Sequence, residues 1–171
     1  SVAVDPNDSK HILIGGDLLS VGTSFDGGQS YEVASGFASC EIGDITVHPK
    51  DGRIVWAGTM SGPYVSFDGG LTWEARRNGF PEIGGYHYSA PIEKILFDPN
   101  DDQLLLAFGG SSRRWGSPGK PAWGAVWESV DAGKNWTRLS TIEPDYGYGS
   151  ENSKDGQPGN QPVKESRPDQ W

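Results

Sequence analysis

A short polar turn that occurs three times constrains this chain more than any other feature of its sequence. The turn reads SFDGGQSY at residues 24–31, SFDGGLTW at 66–73 and SVDAGKNW at 129–136. Each copy has a serine, an aspartate two positions later, a glycine and a terminal aromatic residue. Recurrence of one motif along a chain indicates neighbouring copies of a single supersecondary unit. The repeat, rather than any single residue, therefore decides the fold.

The sequence before each turn is repeated as well. It reads VAVDPNDSKHILIGG, ITVHPKDGRIVWAGT and ILFDPNDDQLLLAFGG. The proline ends a first apolar run, because proline cannot donate a hydrogen bond to a neighbouring strand. Each copy then predicts four short strands, the last of which carries the aromatic residue. The predicted first strands are 2–4, 45–47 and 95–97, the second strands 12–15, 54–58 and 104–108, and the third strands 21–25, 64–67 and 125–130.

A four-stranded sheet that is repeated along a chain is typical of a β-propeller blade. We therefore predict an all-β fold with about three antiparallel blades, at about 1–38, 43–80 and 93–142. Residues 143–171 are rich in glycine, proline and charge, which predicts a polar tail or a truncated insertion. Closed propellers typically have about four to eight blades. We expect either further blades of a larger propeller or self-association to complete the structure.

The chemistry of the repeated turn indicates a structural role for its aspartate. A short Asp side chain accepts hydrogen bonds from backbone N–H groups a few residues later, and glycine supplies the positive φ that the turn requires. The aromatic residue is expected to pack between neighbouring sheets. The predicted structural residues are Ser24, Asp26, Gly28, Tyr31, Ser66, Asp68, Gly70, Trp73, Ser129, Asp131, Gly133 and Trp136.

The pattern Ser-x-Asp-x-Gly-x-(Thr/Ser/Asn)-(Trp/Tyr) resembles the Asp-box, or BNR repeat. This repeat is found in sialidases, in xyloglucanase-type glycoside hydrolases, in Vps10/sortilin-type receptors and in photosystem assembly factors. The resemblance implies a propeller. It does not imply one activity, because these families share the box and differ in function.

Two long connections are predicted to emerge from the end of the propeller opposite the box turns. They are EARRNGFPEIGGYHYSAP (74–91) and GGSSRRWGSPGKPAWG (109–124), and both combine arginine with Trp or Tyr. Aromatic planes and fixed polar donors are suited to sugars, although long loops also pack on themselves or on a neighbouring chain. The candidate ligand-binding residues are Arg76, Arg77, Tyr86, His87, Tyr88, Arg113, Arg114, Trp115 and Trp123.

The segment ILIGGDLLSVGTSFDGG is similar to the start of xyloglucanase-type blades, where an Asp that follows the second strand serves as a catalytic carboxylate. Asp17 occupies that position, but Leu18-Leu19 replaces the Val-Gly of the family. The resemblance implies Asp17 as a candidate catalytic residue, and a solvated turn carboxylate is the alternative. Glycoside hydrolysis requires a second carboxylate, for which Glu41, Asp44, Glu82 and Glu93 have no clear placement from sequence.

Composition excludes several classes of function. The net charge of −9 argues against binding to nucleic acid, which needs clustered Lys and Arg. No apolar run is long enough for a membrane span. Zinc-protease, paired-cysteine and Walker motifs are absent, and we predict no metal site and no cofactor.

The leading interpretation is a secreted, extracellular or periplasmic, propeller segment that binds glycan or another polar polymer through long loops on one face. One alternative is a glycoside hydrolase of the xyloglucanase or sialidase type. The other alternative is a protein-binding scaffold.

Overall fold

The computed structural model describes residues 1–17, 20–37, 41–80, 91–109 and 124–142. These residues form an all-β fold of three antiparallel sheets with four strands each, in which the strands follow one another in chain order. The first sheet contains β1 (Val2–Val4), β2 (Ile12–Gly15), β3 (Val21–Ser24) and β4 (Glu32–Val33). The second contains β5 (Ile42–Val47), β6 (Val55–Thr59), β7 (Gly62–Ser66) and β8 (Glu74–Ala75). The third contains β9 (Lys94–Phe97), β10 (Leu105–Gly109), β11 (Gly124–Ser129) and β12 (Thr137–Ile142).

The sheets lie side by side, and their first strands form the contacts between consecutive sheets. Strand β1 contacts β5, and β5 in turn contacts β9. This arrangement places the first strand of each sheet innermost and the fourth strand outermost, as in the blades of a propeller. In the described part of the chain there is no helix with the length and apolar content that crossing a bilayer requires.

The first strand of the second sheet is longer than the sequence pattern predicts, and the fourth strands of the first two sheets are short. Strand β5 starts three residues before the predicted 45–47, with an irregular register between Ile42 and Asp44. Strands β4 and β8 have only two residues each. They end early because the chain then bonds to the next sheet: Ser35 forms a parallel bridge with Thr72.

The box turns, defined as residues 24–31, 66–73 and 129–136, are held together by a serine and an aspartate. In the second turn the Ser66 hydroxyl donates to Asp68 Oδ1 at 2.7 Å and accepts the Gly70 N–H at 2.8 Å. Asp68 also accepts the N–H and the hydroxyl of Thr72, at 2.9 and 2.6 Å. The serine hydroxyl and the carboxylate thus hold the turn together, and equivalent bonds are present in the other two copies.

The hydrogen bonds in the turns favour the charged form of each carboxyl group. The side chain and backbone of Ser30 lower the pKa of Asp26 to about 2. The side chain and backbone of Asn135 lower the pKa of Asp131 to about 2. Burial raises the pKa of Asp68, but the bonds from Thr72 and Ser66 outweigh this and hold it below its ordinary value.

The first and second sheets share one apolar core. Leu13 and Val21 of the first sheet pack against Ile45 and Tyr64 of the second, and all four are almost fully buried. The box aromatic Trp73 is part of the same core, and its indole N–H donates to the carbonyl of Gly70 at 2.8 Å. The aromatic residue of the second box therefore faces the preceding sheet.

The second and third sheets share a second core that is dominated by aromatic rings. Trp56 of the second sheet meets the box aromatic Trp136 edge-on, with ring centroids 5.8 Å apart. Phe80, which follows β8, lies against Trp136 and Trp127, at centroid distances of 5.5 and 4.8 Å. The third box aromatic repeats the position of the second, one sheet further along the chain.

The outer faces of the first and third sheets differ from these interfaces in exposure. Tyr31, the first box aromatic, is 41% exposed, whereas Trp73 and Trp136 are 5% and 3% exposed. The reason is that no sheet among the described residues precedes the first one. Large apolar side chains remain exposed on both outer faces: Val2, Ile14 and Val33 on the first sheet, and Leu96, Leu106 and Phe108 on the third. We still expect further blades or self-association to cover these two outer faces.

The box glycines provide a matched test of the contacts between sheets. Gly70 and Gly28 occupy the same box position with φ of +97° and +87°. A Cβ on Gly70 would lie 2.3 Å from Leu13 Cδ2 of the preceding sheet. A Cβ on Gly28 would meet only Tyr31 and Ile12, which belong to the same blade as Gly28. We expect Gly28→Ala to cost about 1–2 kcal/mol through backbone strain, and Gly70→Ala about 1–3 kcal/mol more through overpacking.

Urea unfolding at 25 °C measures both costs. Equal destabilisation by the two variants would contradict the proposed packing of the second box against the first sheet.

The pKa of Asp131 predicts how the fold responds to acid. Because the folded pKa of about 2 lies below the ordinary Asp pKa of 3.8, the charged carboxylate stabilises the fold above about pH 4, and this contribution disappears as the pH falls to about 2. We expect Asp131→Asn to be less stable than wild type at pH 6, with the difference shrinking towards pH 2. Urea unfolding across this range, repeated with Asp26→Asn, checks it; a difference that is independent of pH would contradict it.

Candidate functional site

A cleft of about 270 Å³ lies at the end of the sheets opposite the box turns. We call it the inner-strand cleft, because its walls come from the chain just before first strands and just after second strands. Asp17 follows β2, Glu41 precedes β5 and Glu93 precedes β9. The remaining lining residues are Ile42, Gly43, Met60, Pro91 and Ile92.

Backbone contacts fix the positions of the acidic residues around the cleft. Asp17 and Glu41 form an isolated antiparallel bridge, which makes them direct cross-strand neighbours. The Met60 N–H donates to the Glu41 carbonyl at 3.2 Å, and the Glu93 N–H donates to the Phe108 carbonyl at 2.9 Å. The first, second and third sheets thus each contribute one carboxylate to a single depression.

Glycine allows the segment before β9 to come close to the second sheet. A Cβ on Gly58 would lie 2.7 Å from the carbonyl oxygen of Ile92, and one on Gly43 would lie 3.2 Å from the same atom. The Ile92 N–H donates to the Thr59 carbonyl at 2.9 Å, and its side chain is buried. The apolar wall of the cleft is therefore held firmly by the second sheet.

The rim of the cleft is acidic and accessible. Asp17 and Glu93 are exposed, and Glu41 is half-buried. Asp44, which the sequence also offered as a second carboxylate, is buried and does not line the cleft. It accepts hydrogen bonds from Lys94 Nζ at 2.9 Å, from the Ile95 N–H at 3.1 Å and from the Thr46 hydroxyl at 2.8 Å. Asp44 therefore joins the second and third sheets. Within the described ranges there is no group of three or more His, Cys, Asp or Glu arranged to hold a metal ion.

The described ends of the two long connections emerge beside this cleft. Pro91, at the end of the first connection, lines the cleft, and its carbonyl oxygen would lie 2.6 Å from a Cβ on Gly109, where the second connection begins. The candidate residues Tyr86, His87, Tyr88, Arg113, Arg114, Trp115 and Trp123, together with Glu82, lie outside the described residues.

The candidate residues Arg76 and Arg77 lie away from the cleft, just after the outermost strand β8. The Arg76 guanidinium pairs with Glu74 and lies 5.7 Å from the ring centroid of Phe67. The Arg77 guanidinium lies 5.0 Å from the ring centroid of Tyr64 and donates to its hydroxyl. Both side chains thus pack on their own blade, and their role in ligand binding stays a prediction.

Comparison with known proteins agrees with this architecture. The BNR/Asp-box repeat family model matches residues 64–75, which span the second box turn and β8. The fold is that of a β-propeller, and its repeated turns resemble the BNR/Asp-box. A search of curated proteins by sequence returned no match.

Solved structures similar to this Asp-box propeller segment belong to larger proteins. An ancestral GH74 enzyme matches with a TM-score of 0.69 at 19% identity, over 84% of this chain and 18% of that one. The GH74 enzyme of Niastella koreensis matches with a TM-score of 0.61 at 18% identity, over 82% of this chain and 22% of that one. YCF48 bound to D1 peptide matches with a TM-score of 0.54 at 16% identity, over 80% and 39%. The chain spans about a fifth of the length of the GH74 enzymes, and these likenesses concern the fold alone.

Asp17 could be identified as a candidate from sequence, but its position beside Glu41 and Glu93 in one cleft was not predicted. A positional signal was available, because Asp17 lies two residues after a predicted second strand, and Glu41 and Glu93 lie four and two residues before predicted first strands. Strand ends of these two kinds meet at the same end of a blade. Their grouping around one cleft also depends on how adjacent sheets are placed, which the sequence of one blade does not contain.

The contact between Arg77 and Tyr64 predicts a measurable coupling. Because the guanidinium lies on the Tyr64 ring and donates to its hydroxyl, Arg77→Met is expected to lower the free energy of unfolding by about 1–3 kcal/mol. Tyr64→Phe removes the hydroxyl and retains the ring. A double-mutant cycle in urea should give a coupling energy of about 0.5 kcal/mol or more, and strictly additive effects would contradict this packing role.

Proposed function

We propose that this Asp-box propeller segment binds the chain of a glycan or a similar polar polymer at the inner-strand cleft. One observation carries the proposal: the cleft, its three carboxylates and the described ends of both long connections lie at the same end of the molecule. Carboxylates accept hydrogen bonds from sugar hydroxyls, and apolar walls contact the C–H faces of sugar rings. The cleft contains both kinds of surface.

We propose that the long connections extend the ligand-binding surface of the inner-strand cleft. Their sequences contain Trp115, Trp123 and Tyr86, and aromatic rings of this kind stack on sugar rings. The proposal includes an extracellular or periplasmic location, where polymeric glycans are found, and the acidic chain with net charge −9 is compatible with it.

Glycoside hydrolysis is the second candidate function, and a specific observation favours it. Asp17 and Glu41 are cross-strand neighbours, and paired residues of this kind have Cβ atoms about 4.5–5.5 Å apart. Glycosidases use a pair of carboxyl groups that flank the scissile bond, and residues whose Cβ atoms are this close can direct both carboxyl groups at one substrate. In this candidate function Asp17 and Glu41 are the two reacting groups, and Glu93 binds the substrate.

Affinity electrophoresis in gels that contain xyloglucan, cellulose-derived oligosaccharide or sialylated glycan tests binding. We expect retardation by at least one of these glycans, because the cleft has carboxylates and an apolar wall and the sequences of the connections add aromatic residues. Asp17→Asn combined with Glu93→Gln should weaken retardation about tenfold or more, since two acceptors lose their charge. Trp115→Ala and Trp123→Ala test the contribution of the connections.

Glu32→Gln is the matched control, because it changes an exposed carboxyl on the outermost strand β4. Unchanged retardation in the cleft variant and in both tryptophan variants would refute the proposal. Release of reducing ends from the retained glycan distinguishes hydrolysis from binding. Release that is abolished by Asp17→Asn and by Glu41→Gln supports the second candidate, and release that persists in both excludes it.

A further inference from the structure

A second depression, of about 290 Å³, lies at the opposite end of the molecule, between the second and third sheets. We call it the box-end groove. Its apolar lining consists of Ile54, Trp56, Val65, Phe67, Phe97 and Leu105. His48, Lys50, Asp51, Asp102, Gln103 and Ala132 supply the polar part of the lining. The groove is separate from the inner-strand cleft, because it is lined by the box turn and the proline turns.

The equivalent space between the first and second sheets is filled by a histidine of the chain itself. The buried His11 ring stacks on Phe25, with centroids 4.8 Å apart and planes 11° from parallel. Its Nδ1 lies 3.1 Å from Asp5 Oδ2, and its Nε2 lies 2.8 Å from the carbonyl oxygen of Gly69 in the next sheet. The molecule therefore shows which kind of group this space accepts: a planar ring with polar nitrogens on two sides.

The repeat shows why the second space is open. Aligned on the proline turns and box turns, Asp5 corresponds to His48, His11 to Ile54, and Gly69 to Ala132. In the second gap the ring is thus replaced by an aliphatic side chain that carries no donor or acceptor. By this alignment, residue 48 and the carbonyl of residue 132 correspond to the two polar groups that flank the ring in the first gap.

His48 presents one polar atom towards the groove. Its Nδ1 accepts the backbone N–H groups of Lys50 and Asp51, at 3.2 and 3.1 Å, so the ring proton lies on Nε2. Nε2 is 3.7 Å from Asp102 Oδ1, which is too long for a hydrogen bond. The side chain is only 8% exposed, and the edge-on contact with Phe97 holds its ring in place. A buried donor therefore faces a depression without a direct hydrogen bond to the residue beside it.

Charged groups surround the mouth of the groove. Lys50 Nζ pairs with Asp102 Oδ1 at 2.7 Å and so connects the second and third sheets, and this lysine lowers the pKa of Asp102. Arg53 pairs with Asp51 at 2.7 Å and lowers the pKa of that carboxyl to about 2. Both acidic groups are therefore charged at neutral pH and paired with cations, so the rim is close to electrically balanced. This balance favours a neutral ligand over an ion.

We propose that the box-end groove binds a small neutral heteroaromatic molecule of the azole class, with an acceptor nitrogen for His48 Nε2–H and an N–H donor for the carbonyl of Ala132. The ring lies between Phe67 and Phe97 against the apolar lining, in the space that His11 fills in the first gap. A cavity of about 150 Å³ holds benzene, so 290 Å³ has room for a two-ring molecule. Benzimidazole has this size and both polar groups.

Titration of the ¹⁵N-labelled protein with benzimidazole, followed by amide chemical shifts, tests the proposal. We expect saturable shifts at low-millimolar concentration or below, centred on His48, Phe67 and Ala132. The residues of the first sheet that form the filled gap, His11 and Phe25, should not shift, which provides a control within the same molecule. Indole lacks the acceptor and indene lacks both polar groups, so we expect each to bind at least tenfold more weakly.

The double variant His48→Asp/Ile54→His restores the residues of the first gap and should abolish the shifts. The wild-type comparison of the three rings does not depend on whether this variant folds, so the proposal remains testable. Three results would overturn it: no saturable shifts at the solubility limit of benzimidazole, shifts centred on other residues, or equal affinity for indene. Undiminished binding by a folded double variant would overturn it as well.

Discussion

The hydrogen bonds between serine and aspartate in each box turn are the interaction on which the rest of the structure depends. The serine hydroxyl and the carboxylate accept the hydrogen bonds of a tight turn and thereby fix the position of the aromatic residue that follows. In the second and third copies that residue is buried against the preceding sheet. A local turn thus sets the contact between neighbouring sheets, and a chain with only modest apolar content builds two continuous cores from short strands.

The repeat also distributes chemistry between the two ends of the molecule. At one end, the proline turns and box turns bring polar side chains into the gaps between sheets. The His11 ring fills the first gap, whereas Ile54 takes its place in the second gap and leaves that gap open. At the other end, the loop after β2 and the segments before β5 and β9 bring Asp17, Glu41 and Glu93 to a common cleft. The two depressions have different characters, since one is mainly aromatic and the other has an acidic rim.

The strands, their order and the position of the box turns could be predicted from sequence, because each depends on local patterns: the proline that ends a strand, the aspartate that caps a turn and the apolar runs between them. Residues whose surroundings come from another blade could not be predicted in this way. Tyr31 has the same local sequence as Trp73 and yet is exposed, because burial depends on a preceding sheet. Arg76 and Arg77 belong to a long connection by sequence, but they pack on the blade that they leave.

Hydrogen exchange of the backbone amides at the three box aromatics tests the central claim most directly. The Trp73 N–H donates to the Ser35 carbonyl and the Trp136 N–H to the Asn78 carbonyl, both at 2.9–3.0 Å and both across a junction between sheets. The account predicts that these two amides exchange as slowly as those of the buried strand β6, whereas the amide of Tyr31, on the outer face, exchanges much faster. Equal exchange at all three positions would contradict the claim that each box turn is fixed against the sheet before it.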